Sequence, residues 1–109
     1  MQDHPAVTKS GHKKFVFIES DMTPKEAKAL LKRLSEIPEA FSAIFYKNGA
    51  RINYMFSAAE GADVNCQQVI RSVNEAFGGR GGGRPESCQG SGAAAEDWKQ
   101  RAEELMETI

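Results

Sequence analysis

Arg80 and Arg84, set among the glycines of the run Gly78 to Gly92, are the residues whose types and spacing suit chemistry, and that chemistry is anion binding. A guanidinium is a planar, permanently charged fork of donors that fits phosphate oxygens. Glycine lacks a Cβ, tolerates positive φ, and lets a second backbone approach closely, so consecutive glycines can turn several N–H groups towards one point. Seven of these fifteen residues are glycine, and Arg80, Arg84 and Pro85 punctuate them at fixed places, unlike an uncharged Gly/Ser linker. The same residues also admit a purely architectural role: Gly78 directly follows a helical pattern, where a left-handed glycine commonly closes the helix, and the others would let strand and loop pack tightly. The run is neither a Walker loop, lacking the Gly-Lys-Ser/Thr ending, nor a dinucleotide fingerprint.

Other chemistry is scarce. His4 and His12 lie in a polar N-terminal stretch without partners at ligand spacing, so no metal site and no metal cofactor is expected. Cys66 and Cys88 fit neither a disulfide framework nor a zinc motif, and both read as packed, reduced thiols. Fourteen basic and fifteen acidic residues leave a net charge of −1, which argues against strong nonspecific nucleic-acid binding; the basic residues gather in Lys9 to Lys14 and Arg71 to Arg84 while the last helix is mostly acidic. Any RNA contact is therefore local. No signal peptide and no apolar run long enough for a bilayer is present, so a cytoplasmic protein with no membrane partner is expected.

The elements that must position the arginines follow from pattern. At 109 residues there is room for one domain with one modest core. Residues 1–14 read as a flexible lead-in or linker and 15–109 as the domain. Phe15 to Ile18 is a continuous apolar run, expected as a central strand buried on both faces. Thr23-Pro24-Lys25-Glu26 has the form of a capping box, followed by Ala27, Leu30, Leu31, Leu34 and Ile37 at helical spacing until Pro38. Lys25, Lys28 and Lys32 sit on the outer side of that helix, where they read as a solvated face or as phosphate contacts. Two strands follow, Phe41 to Tyr46 and Arg51 to Ser57, joined through Asn48-Gly49; Asn53, Met55 and Ser57 share the semi-polar face of the second. Asp63 suits an N-cap for a helix carrying Cys66, Val69, Ile70, Val73 and Phe77. Glu86 to Gln89 is expected as the fourth strand. A last helix aligns Trp98, Ala102, Leu105, Met106 and Ile109 for docking on its own domain or on a second copy. The expected fold class is α+β: a two-layer α/β sandwich with a mixed four-stranded sheet and helices mainly on one face.

From Gly78 to Gly92 the chain resembles the glycine-rich signature of the DHH-associated domain at the C-terminus of alanyl-tRNA synthetases and long-form AlaX trans-editing proteins. That signature reads approximately GGxGGGRPDMAQxGG. Gly78, Gly79, Gly81, Gly82, Gly83, Arg84, Pro85, Gln89 and Gly92 match it and Gly90 falls at an open position, while Glu86, Ser87, Cys88 and Ser91 depart from it. A related branch, in DHH-type phosphoesterases, has histidine where this chain has Arg84, which favours the tRNA-linked branch. The resemblance covers about Phe15 to the C-terminus and implies the α+β arrangement. It further implies a tRNA-binding and assembly module, contacting nucleic acid through Arg80, Gly81, Gly82, Gly83, Arg84 and Gln89 and dimerising, if at all, through the C-terminal helix. The parent would be an aminoacyl-tRNA deacylase or an alanine–tRNA ligase. The relatives' zinc-dependent editing centre needs a histidine pair and a cysteine–histidine pair on another domain, so this chain alone is not expected to be an enzyme or to take a small-molecule substrate. The alternative is the substrate-clamping domain of a DHH-type phosphoesterase.

Overall fold

The computed structural model describes residues 6–7, 13–20, 22–62 and 64–109. Six strands form one mixed sheet: β1 (Ala6–Val7), β2 (Lys13–Glu19), β3 (Ala40–Asn48), β4 (Arg51–Ala58), β5 (Arg80–Arg84) and β6 (Ser87–Ala93), in the spatial order β1-β2-β3-β4-β6-β5. Only β2 and β3 run parallel, joined by the crossover helix α1 (Pro24–Ser35); α2 (Cys66–Phe77) and α3 (Trp98–Glu107) complete the chain. The α+β class and the mixed sheet are as expected. The strand count is six rather than four, because the glycine-rich run is itself a strand and a two-residue strand pairs ahead of β2.

Alternation along the central strands sorts the core into two parts. Phe41, Ala43 and Phe45 of β3 with Ile52, Tyr54 and Phe56 of β4 face α2 and α3, meeting Ile70, Val73, Phe77, Trp98, Ala102 and Met106. The alternate residues Ile44, Tyr46 and Met55 face α1 and meet its Ala27 and Leu34. Two of three helices thus share a face, but α1 adds a third layer on the other. The reason is visible in β3: seven consecutive residues, Ala40 to Tyr46, are buried, so both sides of that strand need cover. The strand Phe15 to Ile18 is less central than expected. It lies second from the edge, half-buried throughout, while β3 and β4 hold the middle.

Local chemistry sets the boundaries. Thr23 and Glu26 form the capping box reciprocally, at 3.1 and 3.0 Å. The N-cap of α2 is Asn65, whose Oδ1 accepts from the Gln67 and Gln68 amides; Asp63 lies outside the described residues. Gly78, at φ 59, closes α2. In the β3–β4 hairpin Asn48 still pairs with Arg51, so the two turn residues are Gly49 and Ala50, and only Gly49 has positive φ (65). That is the pattern of a type II′ turn, shifted one residue from the expected Asn-Gly pair. β2 starts at Lys13, inside the expected lead-in; the histidines of that segment, His4 and His12, lie outside the described residues. Lys14 is buried, and its Nζ donates to the Met106 carbonyl at 2.6 Å, tying β2 to the C-terminal turn of α3.

The apolar stripe of α3 docks on its own sheet, with Trp98, Ala102 and Met106 buried and Leu105 and Ile109 packed at the margin. Cys66, fully buried at the start of α2, has its thiol pushed up to about 12 by desolvation first, then by the nearby Cys88 and Glu86. A thiol that stays protonated when folded but ionises near 9.0 when unfolded contributes stability present below pH 9 and lost as pH climbs towards 12. Urea midpoints measured at pH 8, 9.5 and 10.5 should therefore fall, with a contribution from this group of up to about 1.4 kcal/mol per pH unit. Cys66→Ala should flatten that decline; an equally steep fall in the variant would locate its source elsewhere.

Candidate nucleic-acid interface

The expected contact residues lie on the edge hairpin β5–β6. All five residues of β5 are exposed, and the register pairs Arg80 with Ser91, Gly81 with Gly90, Gly82 with Gln89, Gly83 with Cys88 and Arg84 with Ser87. Because successive residues of a strand point to opposite faces, Arg80, Gly82, Arg84, Ser87, Gln89 and Ser91 share one side. Gln89 pairs with Met55 of the α1-facing core, which fixes that side as the α1 face. Gly81 and Gly83 point the other way, towards Cys88 and α2.

This geometry corrects the expected anion cradle. In a strand, neighbouring N–H groups alternate in direction, so those of β5 do not converge on one point. The two arginines, four residues apart, stand about 13 Å from each other along the strand, too far to grip one phosphate together. What remains is a basic rim. Among the described residues neither guanidinium makes a hydrogen bond or salt bridge, including to Glu86; the one salt bridge there joins Arg101 and Asp97 within α3 and its N-cap, at 3.1 Å.

Most of the glycines answer to packing. A Cβ on Gly81 would collide with the Gly90 Cα and lie 2.5 Å from the Gln89 carbonyl oxygen, and one on Gly79 would collide with both the Tyr54 hydroxyl and the Ser91 carbonyl oxygen. Gly83 combines φ 153 with a Cβ position 2.5 Å from the Ser87 carbonyl oxygen. Side chains of α2 then hold the strand: Gln67 Nε2 donates to the Gly83 carbonyl at 2.8 Å and Asn74 Nδ2 to the Gly81 carbonyl at 3.4 Å. The turn is tied down as well, with the Cys66 amide donating to the Pro85 carbonyl at 2.8 Å and the Ala58 amide to the Glu86 carbonyl at 2.9 Å. The Cys88 thiol donates to the Arg84 carbonyl at 3.1 Å, and burial raises its pKa, so it acts as packing rather than as a nucleophile.

Between the rim and α1 runs an open groove. Lys28 of α1, Asn53 of β4, Arg80, Gln89 and Ser91 line one part of about 360 Å³, floored by Tyr46 and Met55. It continues past Lys28 and Met55 into a recess of about 1040 Å³ bordered by Lys32, Ser57, Glu60, Asn65 and Glu86. The structure thus brings Arg80, Gly81 and Gln89 together in the groove, places Gly82 and Arg84 along its rim, and turns Gly83 away. Asn53 and Ser91 are the additions, and Lys28, which the sequence offered either as a solvated face or as a phosphate contact, lies with them. The semi-polar alternation of Asn53, Met55 and Ser57 was the signal for this floor, and the lysines at 28 and 32 for its wall. No group of three His, Cys, Asp or Glu residues among those described could hold a metal ion.

An α+β domain whose edge hairpin is a glycine strand flanked by arginines, braced by the preceding helix, is a recognisable class. The DHHA1 domain matches residues 11–109, and the chain belongs to that family. Among solved structures it is similar to the C-Ala domain from Aquifex aeolicus alanyl-tRNA synthetase, with a TM-score of 0.78 and 24% identity over 100% of this chain and 98% of that one. At that identity the likeness establishes the shared fold. None of the curated proteins compared with the chain matches it.

The packing account of the glycines is testable at one position. Gly81→Ala, whose Cβ meets backbone rather than a flexible side chain, should lower stability by about 1–3 kcal/mol in urea denaturation. A variant as stable as the parent would show that the two strands are not so closely apposed.

Proposed function

We propose that the chain is the tRNA-binding and assembly module of an alanyl-tRNA synthetase-related protein, with an editing protein as the parent. The observation that carries this is the pair Arg80 and Arg84, exposed and unpartnered among the described residues, on the rim of a groove whose other wall bears Lys28 and Lys32. Cations on both sides of an open trough suit a sugar-phosphate backbone. The fold shared with a C-Ala domain supports the same choice, since that domain comes from an alanyl-tRNA synthetase. DHHA1 membership alone is shared by the substrate-clamping domain of DHH-type phosphoesterases, and Arg84 in place of that branch's histidine favours the tRNA-linked one. On this reading the chain binds, and any catalysis of the parent would be carried by another domain.

Among the described residues neither arginine side chain makes a bond to the fold, so Arg80→Ala/Arg84→Ala should leave the melting midpoint unchanged. Its tRNA affinity should fall by roughly 2–4 kcal/mol, each charge-assisted bond contributing about 1.5–3 without full additivity. The slope of log affinity against log salt should shrink by about 1.4–1.8, because two phosphates are no longer neutralised. Filter binding or fluorescence anisotropy at two salt concentrations, beside a thermal melt, measures both. A folded double mutant with unaltered affinity and slope would overturn the phosphate contact.

A further inference from the structure

Gly82 is the one described glycine that the fold does not require. Every other described glycine has positive φ or a Cβ position blocked by backbone or by Tyr54, whereas a Cβ on Gly82 meets nothing within 4 Å and its φ is ordinary. Glycine inside a strand weakens it and packs nothing. Its bare backbone lies between Arg80 and Arg84, opposite Gln89, on the face that carries the groove. Asn53 and Gln89 are diagonal neighbours across β4 and β6, since Asn53 pairs with Ser91 and Met55 with Gln89, which brings two carboxamides within reach of one ligand edge. Among the described residues neither carboxamide has a hydrogen-bond partner, although Asn53 is half-buried. The cations Lys28 and Arg80 line this part of the groove without a carboxylate; Glu60 and Glu86 border the larger recess.

We propose that the strip Arg80–Gly82–Arg84, with Gln89 and Asn53, is a nucleobase subsite that takes an unpaired adenine of the bound RNA. A flat peptide surface without a side chain admits a planar ring, flanking guanidiniums can stack on it, and unpaired bases are the ones free to turn out of a strand. Adenine offers a donor and an acceptor side by side, which one carboxamide satisfies in two bonds. The inference rests on the RNA-binding function proposed above and deepens it, from holding the backbone to reading a base.

The test uses single-stranded oligoadenylate, oligouridylate and an abasic sugar-phosphate strand of equal length, each titrated at two salt concentrations. The wild-type chain should bind oligoadenylate about fivefold or more tightly than the other two. Gly82→Val, a β-branched residue with open space before it, should raise or keep the melting midpoint and abolish that preference while leaving the salt slope intact. Asn53→Ala/Gln89→Ala should abolish it as well, without touching Gly82. A Gly82→Val chain that melts markedly lower would show that the fold demands the glycine, and one that retains the preference would show that no base lies there; either overturns the subsite. Salt-dependent binding by the wild type with no base preference also overturns it and leaves the backbone contact standing. Failure of the wild type to bind any of the strands or tRNA removes both.

Discussion

Tyr54 holds the molecule's edge hairpin in place. Its ring is fully buried in β4, packed at 5.9–6.2 Å from Phe45, Phe56 and Phe77, and it extends beneath the hairpin so closely that Gly79 and Gly90 have no room for a Cβ. A buried phenol needs a partner, and this one donates to Asn74 Oδ1, which in turn offers its amide to the Gly81 carbonyl. Burial raises the Tyr54 pKa, so the hydroxyl remains a donor well into alkaline conditions. One side chain therefore couples the central strand, α2 and the edge strand. The glycine signature is largely the shape of its surroundings.

The fold also separates charge. The α1 helix has Lys25, Lys28, Lys32 and Arg33 against Glu26, whereas α3 and its lead-in carry Glu96, Asp97, Glu103, Glu104 and Glu107 against Lys99 and Arg101. These helices cover opposite faces of the sheet. A net charge of −1 thus describes neither face: the groove side is basic and the α3 side acidic, so a polyanion is drawn to one and repelled by the other. Lys14 stands apart from this division. Buried against the C-terminal turn of α3, it directs its charge at the Met106 carbonyl, with burial lowering its pKa and Glu107 pulling the other way.

What was legible in the sequence was what local physics determines. The capping box at Thr23, the stripe of α2, its glycine stop and the β3–β4 pair all follow from periodicity and turn chemistry within a few residues. β5 was not legible as a strand, because Arg-Gly-Gly-Gly-Arg has almost no intrinsic strand preference; its extended form comes from pairing with β6 and from the α2 side chains that hold its carbonyls. The third layer was hidden for a different reason. Phe41 to Tyr46 is apolar on both sides, so periodicity cannot say which helix covers which face. Of the site, the arginines and Gln89 were visible as types, but their shared face with Asn53 and Lys28 is a product of register, which no local pattern encodes.

An exposed, glycine-rich edge strand invites pairing with another chain. Here the carbonyls of Gly81 and Gly83 accept from Asn74 and Gln67, so alternate acceptors along the open edge are already occupied. A pairing strand would have to displace two α2 side chains, one of which also receives the Tyr54 hydroxyl, and so would disturb the aromatic core. The edge is closed to strand addition without being covered by another element. Its α1-facing surface stays open, because Arg80, Gly82 and Arg84 lie on that side and α1 packs mainly over β3 and β4. The same bracing that blocks the edge therefore stiffens a side-chain-poor strand enough to present two arginines at fixed separation, and it leaves the groove as the accessible basic surface of the hairpin.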